Sequence, residues 1–424
     1  MVFSVRYLKN PRKGIFVAAL MAFSATNSMA ATDRSAAPAV AAPQKTARGV
    51  FTYRIAGSER HGYAYDAKGE IAGYAQLAAD VYASALADGA ALKDAVTAFL
   101  AAPGDDTLVR ARDAWINARR SWEQTEAFRF YDGPIDMTDG DPGPIGRLDG
   151  WPVDPAAIDY VDNNPTAGIV NDMKLALTRA TLLGRQNQRG PDRAVTTGWH
   201  AVEFLLWGQE PNAVGEPGDR PVTDFLPGQP NNDRRRTYLK LVTDMLTDDL
   251  GYLVESWDIK TRDNYAAAFR LLNQREALGR IMNGIAHLTG QELATNRLAA
   301  VLDSKDRRML TSRFSAASYQ DFVFALRGVR NVWTGDQGGQ TRAGLGLLVA
   351  RVDPVLAQRI AHAIDHAEYS VSMLKTPLER ETLPAPPGSP ARQMAERAIA
   401  DLKRLASLIR DAGVKLGVNV YLPN

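Results

Sequence analysis

Cysteine is missing from all 424 residues. No disulfide framework can hold this chain or tie it to a partner, and any metal has to be bound through nitrogen and oxygen ligands. An excess of one charge sign is missing as well. The chain has 50 basic residues against 48 acidic ones, which removes the electrostatic footprint of a nucleic-acid binder. Alternating β-branched and aromatic runs with hairpin turns are nearly absent, so strands are not expected. Histidine is scarce, with five in all. The His-Glu-x-x-His helix of zinc peptidases does not occur, nor do the paired Glu-x-x-His motifs of di-iron bundles. A phosphate-cradling glycine loop with its lysine and a nucleophile elbow are also lacking.

The part that is present starts with an address. Arg6, Lys9, Arg12 and Lys13 precede a short apolar run from Gly14 to Ala25, and Ser28-Met29-Ala30 resembles a cleavage site. A basic start, an apolar run of about a dozen residues and a small-residue exit describe a secretory signal peptide over residues 1–30. The run is too short to span a bilayer comfortably. The expectation is export to the periplasm, with no lipid-bearing cysteine after the signal. Residues 31–47 are rich in Ala and Pro and read as a disordered leader.

Beyond the leader the apolar spacing is helical. Stretches at 70–100, from Thr107 onward, 169–183, 197–207 and 233–257 read as helices, followed by 263–285, 291–303, 318–334, 343–350, 353–374 and 390–412. Gly/Pro/Asp-rich loops at 127–165 and 210–232 interrupt them. Asp132, Asp136, Asp139 and Asp141 in the first loop do not fit calcium-loop spacing. The fold expected is all-α, with an N-terminal helical bundle over 48–259 and a C-terminal one over 260–424.

Two places carry chemistry. The segment Thr197 to Gln209 is apolar on almost every side, which marks a buried helix. His200 and Glu203 are the only ionisable residues in its interior, and three apart they share one face. A buried carboxylate needs a partner. The pair is therefore either half of a metal site for a borderline ion, or a hydrogen bond that only orients the helix. Upstream, the stripe Leu108, Ala111, Trp115, Ala118, Trp122 continues onto Thr125 and Glu126. Either the stripe carries Glu126 into the core as a further ligand, with Glu123 beside it, or the helix ends there and Glu126 meets water. His362, Asp365 and His366 also share a face, but a solvated one is the more ordinary reading.

The order of motifs resembles the imelysin family. Gly198-Trp199-His200-Ala201-Val202-Glu203 is similar to its GxHxxE signature. The blocks around Arg119 and Thr125-Glu126, Gly133-Pro134-Ile135-Asp136, Trp151-Pro152, Ile158-Asp159-Tyr160-Val161, Leu288 to Ala294 and Asn331 to Asp336 match in sequence, over roughly residues 60 to 415. The resemblance implies two helical bundles with the motif helix near their junction. It also implies an exported protein of one of two kinds, an iron-uptake component or a metallopeptidase of the insulin-cleaving type. It departs at Ser312-Arg313-Phe314-Ser315-Ala316, where an acidic residue is expected after Phe-Ser, so Ser312 and Arg313 are weaker site candidates.

Two functions follow as expectations. One is a periplasmic protein of iron acquisition that binds an iron-type cation or a small chelate through His200, Glu203 and Glu126, in the company of an envelope iron-uptake protein. Arg119 and Glu123 are adjoining candidates. The other is a zinc-type peptidase in which Glu126 acts as general base for a metal-bound water. A third, plainer possibility is an interaction protein whose motif helix serves packing alone.

Overall fold

The computed structural model describes residues 65–137, 142–186, 195–211, 215–374, 376 and 378–422 in full, and the backbone of 44–45 and 51–52. The signal segment and most of the leader lie outside these residues. The chain divides into a unit ending at His61 and a unit from Gly62 to Asn424. In the first, Gln44–Lys45 pairs antiparallel with Phe51–Thr52. Everything below belongs to the second.

A long helix, Lys68–Ala101, buries Ile71, Tyr74, Ala78, Tyr82, Ala85, Leu92, Val96 and Phe99. It packs along Asp105–Glu123 on one side and Pro230–Trp257 on the other. The break between the first two helices is set by Pro103-Gly104, where Thr107 Oγ1 accepts the Gly104 N–H at 3.0 Å and caps the second helix. Its stripe of Leu108, Ala111, Trp115, Ala118 and Trp122 is buried as the spacing predicts, and the short helix Gly198–Trp207 lies against it. These four helices form the first group.

The second group contains Gln274–His287, Ser318–Thr334, Pro354–Ser372 and Pro390–Leu416. The two groups meet where the second helix tightens into a 3₁₀ turn, Gln124–Phe128, against Ser318–Thr334. Contact there is backbone to backbone: a Cβ on Gly328 would stand 2.4 Å from the Gln124 carbonyl oxygen, so only glycine permits the approach. The chain is therefore all-α. Among the described residues of this unit, strand structure is limited to the two-residue pair Asp336–Gln337 with Gln340–Thr341. No helix among the described residues is long and apolar enough to cross a membrane.

Three helical expectations differ in detail: 263–285 is parted into Tyr265–Arg270 and Gln274–His287, the second capped by the Asn273 side chain. The stretch 169–183 is not one helix but two short pieces, Gly168–Asn171 and Arg179–Arg185; the intervening Asp172 and Lys174 bond locally, Lys174 N–H to Asp172 Oδ1 at 3.1 Å, and stop the first. Conversely, no break occurs near 286–290. Gln274–His287 runs on through a π-helical stretch, Leu288–Ala299, into Ala300–Ser304. The wider turn shifts the side-chain period, which is why the apolar spacing looked interrupted there.

Candidate functional site

The helix Gly198–Trp207 is fixed by its neighbours before any chemistry begins. Gly198 sits at φ +80°, and a Cβ there would lie 2.2 Å from the Leu148 carbonyl oxygen. Thr197 Oγ1 donates to the Arg147 carbonyl at 2.7 Å, so the helix start is tied to the 147–149 turn. Trp199 packs edge-on to Trp115 with ring centroids 6.5 Å apart and tilted on Trp122 at 5.9 Å. Trp115 Nε1 donates to the Trp199 carbonyl at 3.0 Å. Aromatic pairs of this kind add about 0.5–1.5 kcal/mol each beyond the area they bury.

With the helix held so, His200 is completely buried between two carboxylates. Its Nδ1 is 2.9 Å from Glu203 Oε2. Its Nε2 is 3.1 Å from Asp149 Oδ1, but off the line of an aligned hydrogen bond. The other oxygen of Glu203 accepts the Ser315 N–H and hydroxyl, each at 2.8 Å. Asp149 is shared three ways: Arg119 Nη1 reaches the same Oδ1 at 2.5 Å, and Trp122 Nε1 donates to Oδ2 at 2.8 Å.

Arg119 spreads the network further. Its Nη2 is 2.5 Å from Glu123 Oε1 and its Nε 3.3 Å from Asp321 Oδ1. Asp321 also accepts the hydroxyls of Thr311 and, at 2.7 Å, Ser312. On the far side, Arg297 Nη2 donates to Glu126 Oε2 at 2.8 Å, its Nη1 lies 3.5 Å from Glu123, and its Nε bonds Glu292 at 3.0 Å. Arg129 closes on the remaining Glu126 oxygen at 2.5 Å.

The charges do not balance. Glu123, Glu126, Asp149, Glu203 and Asp321 are buried, against the buried guanidiniums of Arg119 and Arg297 and one imidazole; Arg129 and Glu292 at the edge add one of each. Titration responds accordingly. Burial pushes the Glu123 carboxyl well above its usual range, with Arg119 opposing. Burial also works against the His200 charge, yet Asp149 and Glu203 outweigh it and raise the imidazole pKa. At Asp149 burial is overcome by Arg119, His200 and Trp122, which hold its carboxyl well below the ordinary range.

A second set of charges includes Glu210, just past the C-terminal end of the motif helix. Glu210 and Arg313 form a buried pair, and Arg313 Nη2 donates to the Val153 carbonyl at 3.0 Å. Glu379, in the π-helical turn Leu378–Thr382, is buried, and burial, with the charges of Glu203 and Glu210, pushes its carboxyl up to about 7.

Of the residues singled out from sequence, His200, Glu203, Glu126, Glu123, Arg119 and Ser312 belong to one connected network. Arg313 stands outside it, on Glu210. Glu126 is completely buried, so the alternative in which it meets water at a frayed helix end does not hold: the 3₁₀ turn keeps it in the core. His362, Asp365 and His366 are exposed, and Asp365 pairs with Arg330 at 2.6 Å, a solvated face. The sequence reading missed Asp149, Arg297 and Asp321. Asp149 sits in a glycine-flanked turn with no periodicity to flag it. Arg297 is placed by the π-helical stretch, and Asp321 only by tertiary packing. Among the described residues, no three His, Asp or Glu side chains are grouped as a ready metal cage; at His200 the two ring nitrogens face different carboxylates.

The chain as a whole is similar to known proteins. The family model described as Imelysin, peptidase family M75, matches residues 78–409. The chain is 25% identical over 337 residues to the iron-regulated protein A of Synechococcus elongatus, covering 77% of this chain and 80% of that protein. A crystal structure of a protein described as an iron-regulated protein A precursor from Parabacteroides distasonis superposes with a TM-score of 0.61 at 20% identity, over 83% of this chain and 97% of that one. An imelysin-like protein from Psychrobacter arcticus superposes with a TM-score of 0.57 at 15% identity, over 85% of this chain and all of that one. At such identities the two structures speak for the fold alone.

Proposed function

The chain belongs to the imelysin family, and from that premise we propose that it is an exported, iron-linked binding protein whose His200 network holds a divalent, iron-type cation or a small chelate of one. The observation that carries this reading is the excess of buried carboxylate around a single imidazole. Unpaired buried charge is costly, and a cation offsets it.

The donor set fits an ion that needs few protein ligands. His200 Nε2 and Asp149 Oδ1 stand 3.1 Å apart, and Glu123 Oε1, on Arg119 Nη2 at 2.5 Å, belongs to the same network. Glu203 then serves behind the imidazole: a carboxylate on Nδ1 fixes the tautomer that leaves Nε2 free to ligate. Ser315, through its two bonds to Glu203, holds that carboxylate in place. Arg119, on the same Asp149 oxygen, tunes the site toward a ligand that brings negative charge of its own, which is the case for a chelate. The bound group would supply positive charge and an open coordination sphere.

Catalytic zinc is usually held by about three protein ligands with one position open, and the acids here are already engaged by guanidiniums and hydroxyls. Binding therefore stands ahead of cleavage. The N-terminal signal pattern supports work in the periplasm, with an envelope iron-uptake protein as the partner class. Anaerobic calorimetry with Fe²⁺ tests the reading. Wild type is expected to bind stoichiometrically, and His200→Ala and Asp149→Asn to lose binding at least tenfold. Equal binding by all three would remove His200 and Asp149 from any metal role.

A further inference from the structure

The groups proposed to bind lie under cover: His200 and Glu203 have no exposed surface and Asp149 is 7% exposed, so a ligand needs a way in. A cleft with about 160 Å³ of empty space, between the helix Asp105–Glu123 and the start of Ser318–Thr334, reaches their network directly. Its lining includes the buried side chains of Arg119, Glu123 and Asp321, and it runs out past half-buried Ile116 to exposed Arg120. Across the outer end, Arg120 Nε donates to Gln320 Oε1 at 2.7 Å. We propose that this cleft is the route by which a ligand reaches the His200 network and that the Arg120–Gln320 bond is the latch that closes it; the proposal rests on the binding role given to that network.

The two helices are joined unequally along their contact. At Gly328 the backbones press together so closely that a Cβ would lie 2.4 Å from the Gln124 carbonyl oxygen, which leaves no passage. Toward Gln320 the contact is made by side chains instead: the latch itself, and the Arg120 guanidinium 5.8 Å from the centre of the Phe324 ring. Arg120 is exposed and Gln320 half-buried. Water replaces a hydrogen bond of this kind at small net cost, so the latch opens without disturbing the core. Arg120 Nη1 also donates to Asn117 Oδ1 at 3.3 Å on its own helix, a partner it keeps when Gln320 leaves. The turn leading into Ser318 is where the backbone can give. Ala316 sits at φ +55°, a left-handed conformation uncommon for a residue with a Cβ, and its neighbour Ala317 lines the cleft. Residues held in this way cluster at ligand clamps and switch segments. The same turn reaches the network through Ser312, on Asp321, and Ser315, on Glu203.

A chain without cysteine lets one introduced thiol report on the cleft. Ala317→Cys places it in the lining, with Ile116→Cys as the alternative if that variant is unstable, and Ala111→Cys, in the buried stripe outside the cleft, is the control. Labelling by a methanethiosulfonate reagent is expected to run at least tenfold faster at the cleft thiol when Gln320→Ala is added, and at an unchanged rate at the control. Fe²⁺ entry is followed anaerobically by stopped-flow tryptophan fluorescence. Gln320→Ala is expected to speed association and dissociation alike and to leave the calorimetric affinity unchanged. Protein labelled at the cleft thiol, and so plugged, is expected to take up Fe²⁺ at least tenfold more slowly than the same variant unlabelled. Equal labelling with and without Gln320→Ala overturns the latch, as does equal acceleration at the control, which would mean general loosening. Unchanged Fe²⁺ association in plugged protein overturns the route. Wild type that binds no Fe²⁺ removes the binding reading and the route with it, while the labelling rates still decide whether Arg120 and Gln320 close the cleft.

Discussion

At His200 two carboxylates compete for one ring, and under the proposed reading the competition sets how a metal would enter. The imidazole pKa is raised by Asp149 and Glu203 against burial, so the ring keeps its proton to higher pH than an ordinary histidine, and a cation at Nε2 would have to displace it. Metal binding is then expected to release a proton and to strengthen as pH rises through that raised value. Calorimetry in buffers of different ionisation enthalpy measures the release, and pH-independent binding without proton release would contradict it. Glu379 supplies a second prediction. Its carboxyl moves from an ordinary 4.5 up to about 7 in the folded chain. Between those values the native state keeps a proton that the unfolded state has lost, so stability falls as pH rises across the window and levels off above it. The loss is on the order of 3 kcal/mol at most. Glu379→Gln, which cannot ionise, should flatten this slope in chelator-treated protein. Urea melts at pH 5 and pH 8 decide the matter, and an unaltered slope in the variant would assign the pH dependence elsewhere.

At the scale of the element, the motif helix depends on two packing contacts, at Gly198 and at Trp122. Gly198 allows the helix start to press on the Leu148 carbonyl, and Gly198→Ala brings a Cβ to 2.2 Å from that oxygen at φ +80°. A destabilisation of at least about 2 kcal/mol is expected, read as a lower urea midpoint. Trp122 gives the helix its tilted aromatic neighbour and also donates to Asp149 at 2.8 Å. The helix itself was legible from sequence: its apolar run, its two ionisable residues and their common face are local properties. Its Asp149 partner was not. That residue reaches His200 through a turn about fifty positions upstream whose shape no periodicity encodes. Nor was Arg297, because the π-helical stretch Leu288–Ala299 rotates its side chain to a face that an α-helical count does not predict.

Across the whole molecule, ion pairs and hydrogen bonds that cross residue 260 tie the two helix groups in and beside the site. Arg119 with Asp321, Arg297 with Glu126, Arg313 with Glu210 and Ser315 with Glu203 all do so. Removing one partner leaves the other buried and unpaired. Arg297→Met is therefore expected to cost about 3–5 kcal/mol, and Arg297→Met with Glu126→Gln considerably less than the sum of the two single changes. The same coupling predicts one cooperative thermal transition for the chain, with calorimetric and van't Hoff enthalpies in agreement. Two resolved transitions would instead favour groups that fold independently across residue 260.

The sequence by itself determined the helical class, the order of most helices, the buried pair His200 and Glu203, and the tryptophan stripe as far as Trp122, leaving Glu126 open between core and water. All of these are carried by spacing along a single helix or by the order of motifs in the chain. Only the tertiary structure decided what faces the imidazole and how charge is distributed around it. Asp149, Arg119, Arg297 and Asp321 meet there from separate segments, and their mutual ionisation depends on distances and burial that exist only once the two groups of helices have packed.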